Sequence, residues 1–350
     1  MNVTPKLVRK HQTVRVAQGL PGHQRDRDGN LMSLDVASVP EDETDHHPDP
    51  PHPALLPHET SLLLVASKGS GKTTLICNLL DFYRDFFHTI LVFSPTINND
   101  SKWDWVKGQK LLARNTKLEK FVKSLETKRA RDSSGVVVGR EPMELARERE
   151  KEDDIVDEDD FTGYIPDECF LDDYNEQMLV DVMNEQDKLI KWLKAHGGHK
   201  TVANRLLLIF DDMVGSSLFS NARNNAFKRL NSNLRHYSAS AIIVSQSYKE
   251  LPRICRVNAS GVILFETPNE KELEVLYEEN PCSLKKNDWL SCYYECTADP
   301  FSFMMINYKR PKQLRISKRF DEFLLCDTLK GIPDRRPPMR SAADDHPPTI

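Results

Sequence analysis

The sequence predicts an α/β domain of three layers, built around a mainly parallel sheet, and three observations lead there. Nearly continuous apolar runs recur along the chain: Ser61-Leu62-Leu63-Leu64-Val65, Thr89-Ile90-Leu91-Val92-Phe93, Leu206-Leu207-Leu208-Ile209-Phe210, Ala241-Ile242-Ile243-Val244 and Gly261-Val262-Ile263-Leu264-Phe265. A strand with no polar alternation must be covered on both faces, which is the situation of a parallel sheet between two helical layers. The segments between the runs are long enough for crossover helices, and the first run passes straight into a glycine-rich turn followed by a helical pattern.

In chain order, residues 1–57 are rich in Pro, His, Asp and Arg, close with Pro48-Asp49-Pro50-Pro51-His52-Pro53, and read as a disordered arm; His46, His47 and His52 within it, and His58 just past it, read as solvated rather than as a ligand set. The globular domain is expected over 58–330. Its first strand ends at Val65, and Leu75-Ile76-Cys77-Asn78-Leu79-Leu80-Asp81-Phe82 has the apolar spacing of a helix. Further strands are expected at 89–95, 204–212, 239–246 and 261–266. Residues 130–187 hold a dense acidic run, Glu148 to Asp160, and read as an insertion, either a solvated loop or an acidic docking segment. Residues 176–193 have helical spacing, and 331–350 repeat the polar, Pro-rich character of the N-terminal arm as a second disordered tail.

Chemistry enters at Ala66-Ser67-Lys68-Gly69-Ser70-Gly71-Lys72-Thr73-Thr74. A glycine-rich turn between a buried strand and a helix lets backbone N–H groups curl around the phosphates of a nucleoside triphosphate. Lys72 can reach the β and γ oxygens, and the Thr73 hydroxyl can hold a magnesium ion. Ser67 to Thr74 are thus the candidate nucleotide contacts. The usual first glycine of this pattern is Ala66 here, the smallest replacement available.

The run Leu207-Leu208-Ile209-Phe210-Asp211-Asp212 ends in two carboxylates. At a strand end beside the loop, Asp211 is the candidate second magnesium partner, and Asp212 can orient or deprotonate an attacking water. Gln246, ending the run through Val244-Ser245, is a candidate sensor of the γ-phosphate or, alternatively, an amide capping the next turn. Arg235, in the basic segment Phe227 to Tyr237, is a candidate finger inserted into a neighbouring subunit's site. Arg253 and Arg256 are further candidates for that role or for contacting nucleic-acid phosphates.

Composition sets outer bounds. With 48 Lys and Arg against 53 Asp and Glu, the net charge of −5 does not favour a nucleic-acid binder, though composition alone does not exclude one. No run reaches the roughly eighteen apolar residues of a membrane span, and no apolar segment follows Lys6, Arg9, Lys10 and Arg15 as a signal peptide requires. The seven cysteines are odd in number and scattered, the pattern of reduced thiols packed as small buried residues; Cys282, Cys292 and Cys296 match no common zinc spacing.

Taken together, Ala66 to Thr74, the segment Phe93-Ser94-Pro95-Thr96-Ile97-Asn98-Asn99-Asp100 with Lys102-Trp103, Asp211-Asp212, Leu234-Arg235-His236, and Val244-Ser245-Gln246 followed by Leu251-Pro252 resemble the genome-packaging ATPases of large double-stranded DNA viruses, within the FtsK-HerA group of P-loop motors. The resemblance covers about residues 60–270. It implies a RecA/ASCE-like domain that hydrolyses ATP with Mg2+, assembles into a homo-oligomeric ring, and threads double-stranded DNA into a preformed capsid. Capsid or portal proteins would be its docking partners, in the virion or at a viral assembly site in the host cytoplasm or nucleus. By position it makes Lys72 and Thr73 the phosphate and magnesium contacts, Asp211 the second magnesium partner, Asp212 the catalytic acid, Gln246 the sensor and Arg235 the finger.

Other P-loop enzymes remain as alternatives. Asp212-Met213-Val214-Gly215 matches the Asp-x-x-Gly of regulatory nucleotide switches, without an Asn-Lys-x-Asp to read guanine, and a nucleotide kinase would need a basic lid that no arginine-rich stretch supplies.

Overall fold

Each apolar run becomes a strand whose alternate residues enter two separate cores. The computed structural model of the chain describes residues 47–134, 161–213, 216–219 and 225–324, with backbone alone for 128–134. The N-terminal arm to His46, the acidic run 148–160, Val214, Gly215, Cys326 and the tail 331–350 lie outside the described residues.

The strands are β1 (Ser61–Val65), β2 (Thr89–Phe93), β3 (Phe170–Leu171), β4 (Leu206–Asp211), β5 (Ala239–Ser245), β6 (Gly261–Phe265), β7 (Phe303–Asn307), β8 (Ile316–Lys318) and β9 (Glu322–Phe323). They form one sheet in the order β3-β2-β4-β5-β1-β6-β7-β8-β9. From β3 to β6 every pairing is parallel, and from β6 to β9 every pairing is antiparallel. The mainly parallel α/β sheet expected from the sequence is thus present.

Side chains alternate across a strand, so the runs feed both faces. Leu63 and Val65 of β1 join Leu208 and Phe210 of β4 and Ile243 of β5 in one core. Leu62 and Leu64 join Leu207, Ile209 and Ile242 in the other. Helices α1 (Lys72–Phe82) and α2 (Ser101–Lys107) cover the second core. On the opposite face lie α4 (Glu176–Ala195), α5 (Ala226–Ser232), α6 (Arg253–Asn258), α7 (Glu270–Glu279) and α8 (Lys286–Thr297). Helix α3 (Thr116–Ser134) packs Leu118 and Phe121 against Ile190 and Leu193 of α4.

Three regions differ from the sequence reading. Residues 54–56, expected in the solvated arm, are buried, and the Tyr83 hydroxyl donates to the Leu56 carbonyl at 2.8 Å. His58 is likewise inside, 6% exposed, with Nδ1 and Nε2 each 3.1 Å from the hydroxyls of Ser240 and Ser238. Proline-rich composition masks how well one Ala-Leu-Leu triplet and an imidazole with two hydroxyl partners suit an interior. Within the stretch read as an insertion, 170–171 supply the sheet's edge strand and 176 begins α4. The antiparallel β7–β9 extension has no counterpart among the expected strands. Its β7, Phe-Met-Met-Ile-Asn, is fully buried against β6 with Phe265 opposite Phe303.

Candidate active site

Strand register brings the candidate residues to one edge of the sheet. Asp211 pairs with Val244 and Val65 with Ser245, so the chain ends leaving β4, β5 and β1 emerge side by side. The insertion of β5 between β1 and β4 means that Gln246, the first residue past β5, stands between the glycine-rich loop and the two aspartates. On β4, Leu207, Ile209 and Asp211 share a face by period two, and Leu207 and Ile209 lie in the α1 core. Asp211 therefore points to the side of the sheet where α1 begins.

The loop has the construction of an anion cradle. The Ser70 N–H and hydroxyl both reach back to the Ser67 carbonyl, at 3.3 and 2.7 Å, closing a tight turn with Lys68 and Gly69 exposed at its tip. Gly71 precedes α1 at φ +94°, a conformation that costs other residues steric strain, and no side chain caps the helix. The first N–H groups of an eleven-residue helix are thus left open to an incoming anion.

Lys72, Asp212 and Gln246 are joined directly. The Lys72 ammonium donates to Asp212 Oδ2 at 2.8 Å, and the Gln246 Nε2 amide lies 3.0 and 2.8 Å from Oδ1 and Oδ2. Asp212 holds this position with φ +54°, a left-handed conformation that aspartate tolerates better than most residues. Both charges of the pair are largely shielded, with side chains 15% and 21% exposed.

Asp211 differs from its neighbour. It is 1% exposed; Oδ2 accepts from the Ser94 hydroxyl at 3.0 Å, and Oδ1 is buried with no hydrogen-bond partner. Burial pushes its carboxyl up to about 6, against the opposing pull of Lys72 and the Ser94 hydroxyl, with Asp212 and Asp100 adding to the rise. An orphaned buried carboxylate oxygen is costly unless a cation satisfies it. A hard divalent cation fits this oxygen-only donor set, with half-buried Thr73 opening α1 on the same face. Ser94 was not singled out for this role by the sequence; its position just past β2, where Phe93 pairs with Phe210, is what sets it beside Asp211.

The arginines are placed elsewhere. Arg235 is exposed in the 3-10 turn before β5. It therefore stands at the opposite end of that strand from Gln246, roughly 20 Å away at about 3.3 Å per residue. Arg256 pairs with Glu279 and lies over the Tyr248 ring, while Arg253 is exposed at the start of α6.

A phosphate cradle on β1, a lysine at its end, and an acidic pair on a strand one place removed decide the fold. The domain has the P-loop NTPase fold. Residues 154–293, less than half of the chain, match the family model of the Poxvirus A32 protein. That stretch lies after the P-loop and contains Asp211, Asp212, Arg235 and Gln246. No curated protein matches the chain. Among solved structures, the genome packaging NTPase B204 of Sulfolobus turreted icosahedral virus 2 in complex with AMPPCP is similar at 15% identity and a TM-score of 0.40, over 76% of this chain and 98% of that one. Its complex with ATP-gammaS gives 14% and 0.41 over the same shares. The cytoplasmic domain of the Type VII secretion ATPase EccC of Thermomonospora curvata gives 14% and 0.38, over 86% of this chain and 28% of that one. The P-loop assignment rests on the domain's own strand order and cradle.

Proposed function

We propose that this chain is an ATP-hydrolysing motor that translocates double-stranded viral DNA into a preformed capsid. The observation that carries the chemistry is the constellation at the ends of β1, β4 and β5: an uncapped P-loop helix, Lys72 at the loop's end bonded to Asp212, and a buried Asp211 with one oxygen unsatisfied. The packaging role draws its support from the resemblance in motifs and from the Poxvirus A32 match over 154–293.

In this reading the backbone of Ser67 to Thr74 cradles the phosphates, and Lys72 leaves Asp212 for the β and γ oxygens. Magnesium, held by Thr73 and Asp211, would neutralise charge on those oxygens. Asp212, released from Lys72 but still held by Gln246, orients the attacking water and takes its proton. Gln246 links that water to the strand lying between the two halves of the site, so the presence of the γ-phosphate is sensed by β5.

Arg235 lies too far along β5 to serve its own subunit's site. As a finger it acts on a neighbour, which requires the homo-oligomeric ring. Double-stranded DNA would be gripped through its phosphates, without regard to sequence and with strong salt dependence. Capsid or portal proteins are the docking partners, and the viral assembly site in the host cell is the place of action. Among the described residues no helix is long and apolar enough to cross a membrane.

The test is steady-state ATP hydrolysis with and without long duplex DNA. Duplex DNA raises turnover, Lys72→Ala abolishes it, and Arg235→Ala subunits regain activity when mixed with Asp212→Ala subunits. Turnover indifferent to duplex DNA at low salt defeats the translocase reading.

A further inference from the structure

The P-loop binds phosphates and leaves the base to other residues. Beside Gly71 and Thr74 opens a cavity of about 510 Å3 walled by Phe82, Phe265, Phe301, Phe303, Phe320 and Arg319. That volume is within the range of small-molecule sites, and a mostly apolar wall with a few polar groups is their usual lining. Five phenylalanines converge here from four parts of the chain: the end of α1, the end of β6, β7 with the turn that enters it, and the β8–β9 turn.

Phe301 is the unusual member. It is 70% exposed and sits at φ +59°, a left-handed conformation rare for a bulky side chain. Its Cδ1 lies 3.2 Å from where a Cβ on Gly71 would stand, so its ring occupies the space over the loop's last glycine. The backbone turn is closed by the Ser302 N–H donating to the Asp299 carbonyl at 3.1 Å. Asp299 in turn pairs with Lys318 of β8 at 2.6 Å. The opposite wall is equally fixed: the Arg319 N–H donates to the Phe303 carbonyl at 2.9 Å, and Phe320 packs edge-on against Phe303 and Phe82. A strained, exposed aromatic held in place by this much structure is accounted for if a flat ligand stacks on it.

Asn78, nearly two turns into α1, adds a polar edge to the wall. Its Nδ2 donates to the Thr74 carbonyl at 2.8 Å, which settles the amide's orientation, because a carbonyl can only accept. Oδ1 and the second Nδ2 hydrogen are both left to face a ligand. An edge offering one acceptor and one donor can hydrogen-bond the polar edge of a nucleobase.

We propose that this cavity is the nucleobase site, with Phe301 as the stacking platform and Asn78 as a polar contact to the edge of the base. The inference rests on the P-loop reading above and adds the place where the base is held. The full-length chain is titrated by calorimetry with MgATP and magnesium tripolyphosphate, as wild type, Phe301→Ala, Phe301→Trp and Asn78→Ala, each checked by thermal melt. Stacking on an aromatic is worth enough that Phe301→Ala lowers ATP affinity about tenfold or more, with tripolyphosphate binding unchanged, and Phe301→Trp restores it. Asn78→Ala lowers the affinity for MgATP severalfold and leaves tripolyphosphate binding unchanged. If wild type binds ATP no better than tripolyphosphate, or Phe301→Ala weakens both alike, the base site is wrong while the P-loop reading stands. If neither ligand binds wild type, both fall.

Discussion

Replacing Asp211 by asparagine should make the free protein more stable and enzymatically dead. The carboxyl is 1% exposed, with Oδ1 unsatisfied, and burial raises it from 3.8 to about 6. At about 1.36 kcal/mol for each pH unit, that rise corresponds to roughly 3 kcal/mol by which the folded state prefers the protonated acid. The sign follows from proton counting. Between pH 3.8 and about 6 the folded chain holds a proton that the unfolded chain has lost, so this group's favourable contribution is complete below 3.8 and disappears as pH rises through about 6. At pH 7.5 the wild type carries the full cost of a buried, half-satisfied carboxylate. Asparagine mimics the neutral acid in shape and can still bond the Ser94 hydroxyl. In metal-free buffer, chemical denaturation should find Asp211→Asn up to about 3 kcal/mol more stable than wild type at pH 7.5, with the gap closing towards pH 4. ATP hydrolysis should be lost throughout. A variant less stable than wild type at pH 7.5, or a gap that ignores pH, refutes the account of Asp211 as a strained carboxylate awaiting a cation.

The neighbouring carboxylate should behave differently. Asp212→Asn removes the charge that holds Lys72 at 2.8 Å. Nucleotide affinity should rise by a few-fold, the worth of one partly exposed ion pair, while turnover falls by at least two orders of magnitude; equilibrium binding beside steady-state kinetics separates the two, and weaker binding would contradict the competition for Lys72. His58→Ala should cost about 2–4 kcal/mol at pH 7.5, since it opens a cavity and strips the imidazole from the Ser238 and Ser240 hydroxyls. Burial, with His47 and Arg205 nearby, holds the His58 imidazole well below its usual value. Its contribution is therefore present above pH 6.5 and lost as pH falls below it, so the gap between wild type and variant, read by urea denaturation, should shrink in acid.

Most of the candidate site was legible because its signals are local. The loop from Ala66 to Thr74 has its meaning in nine consecutive residues, and the apolar runs at β1, β2, β4, β5 and β6 must be covered on two faces whatever their neighbours are. The runs also place Asp211 on the α1 side, since period two leaves no choice once Leu207 and Ile209 face that core. Other features depend on contacts between distant segments. Ser94 reaches Asp211 only because β2 pairs with β4, across 117 positions of sequence. His58 reads as part of a polar tail until β5 brings Ser238 and Ser240 to it from about 180 residues away. The aromatic cavity beside Gly71 draws Phe82, Phe301 and Phe320 together from elements that share no motif. The sequence by itself determined the layered sheet, the phosphate loop and the acidic pair, because strand burial and loop geometry are fixed by runs of adjacent residues. Only the tertiary structure decided that Lys72 rests on Asp212, that Asp211 is left half-satisfied, and that Arg235 stands at the far end of β5, because strand order and register set those distances and no local pattern encodes them.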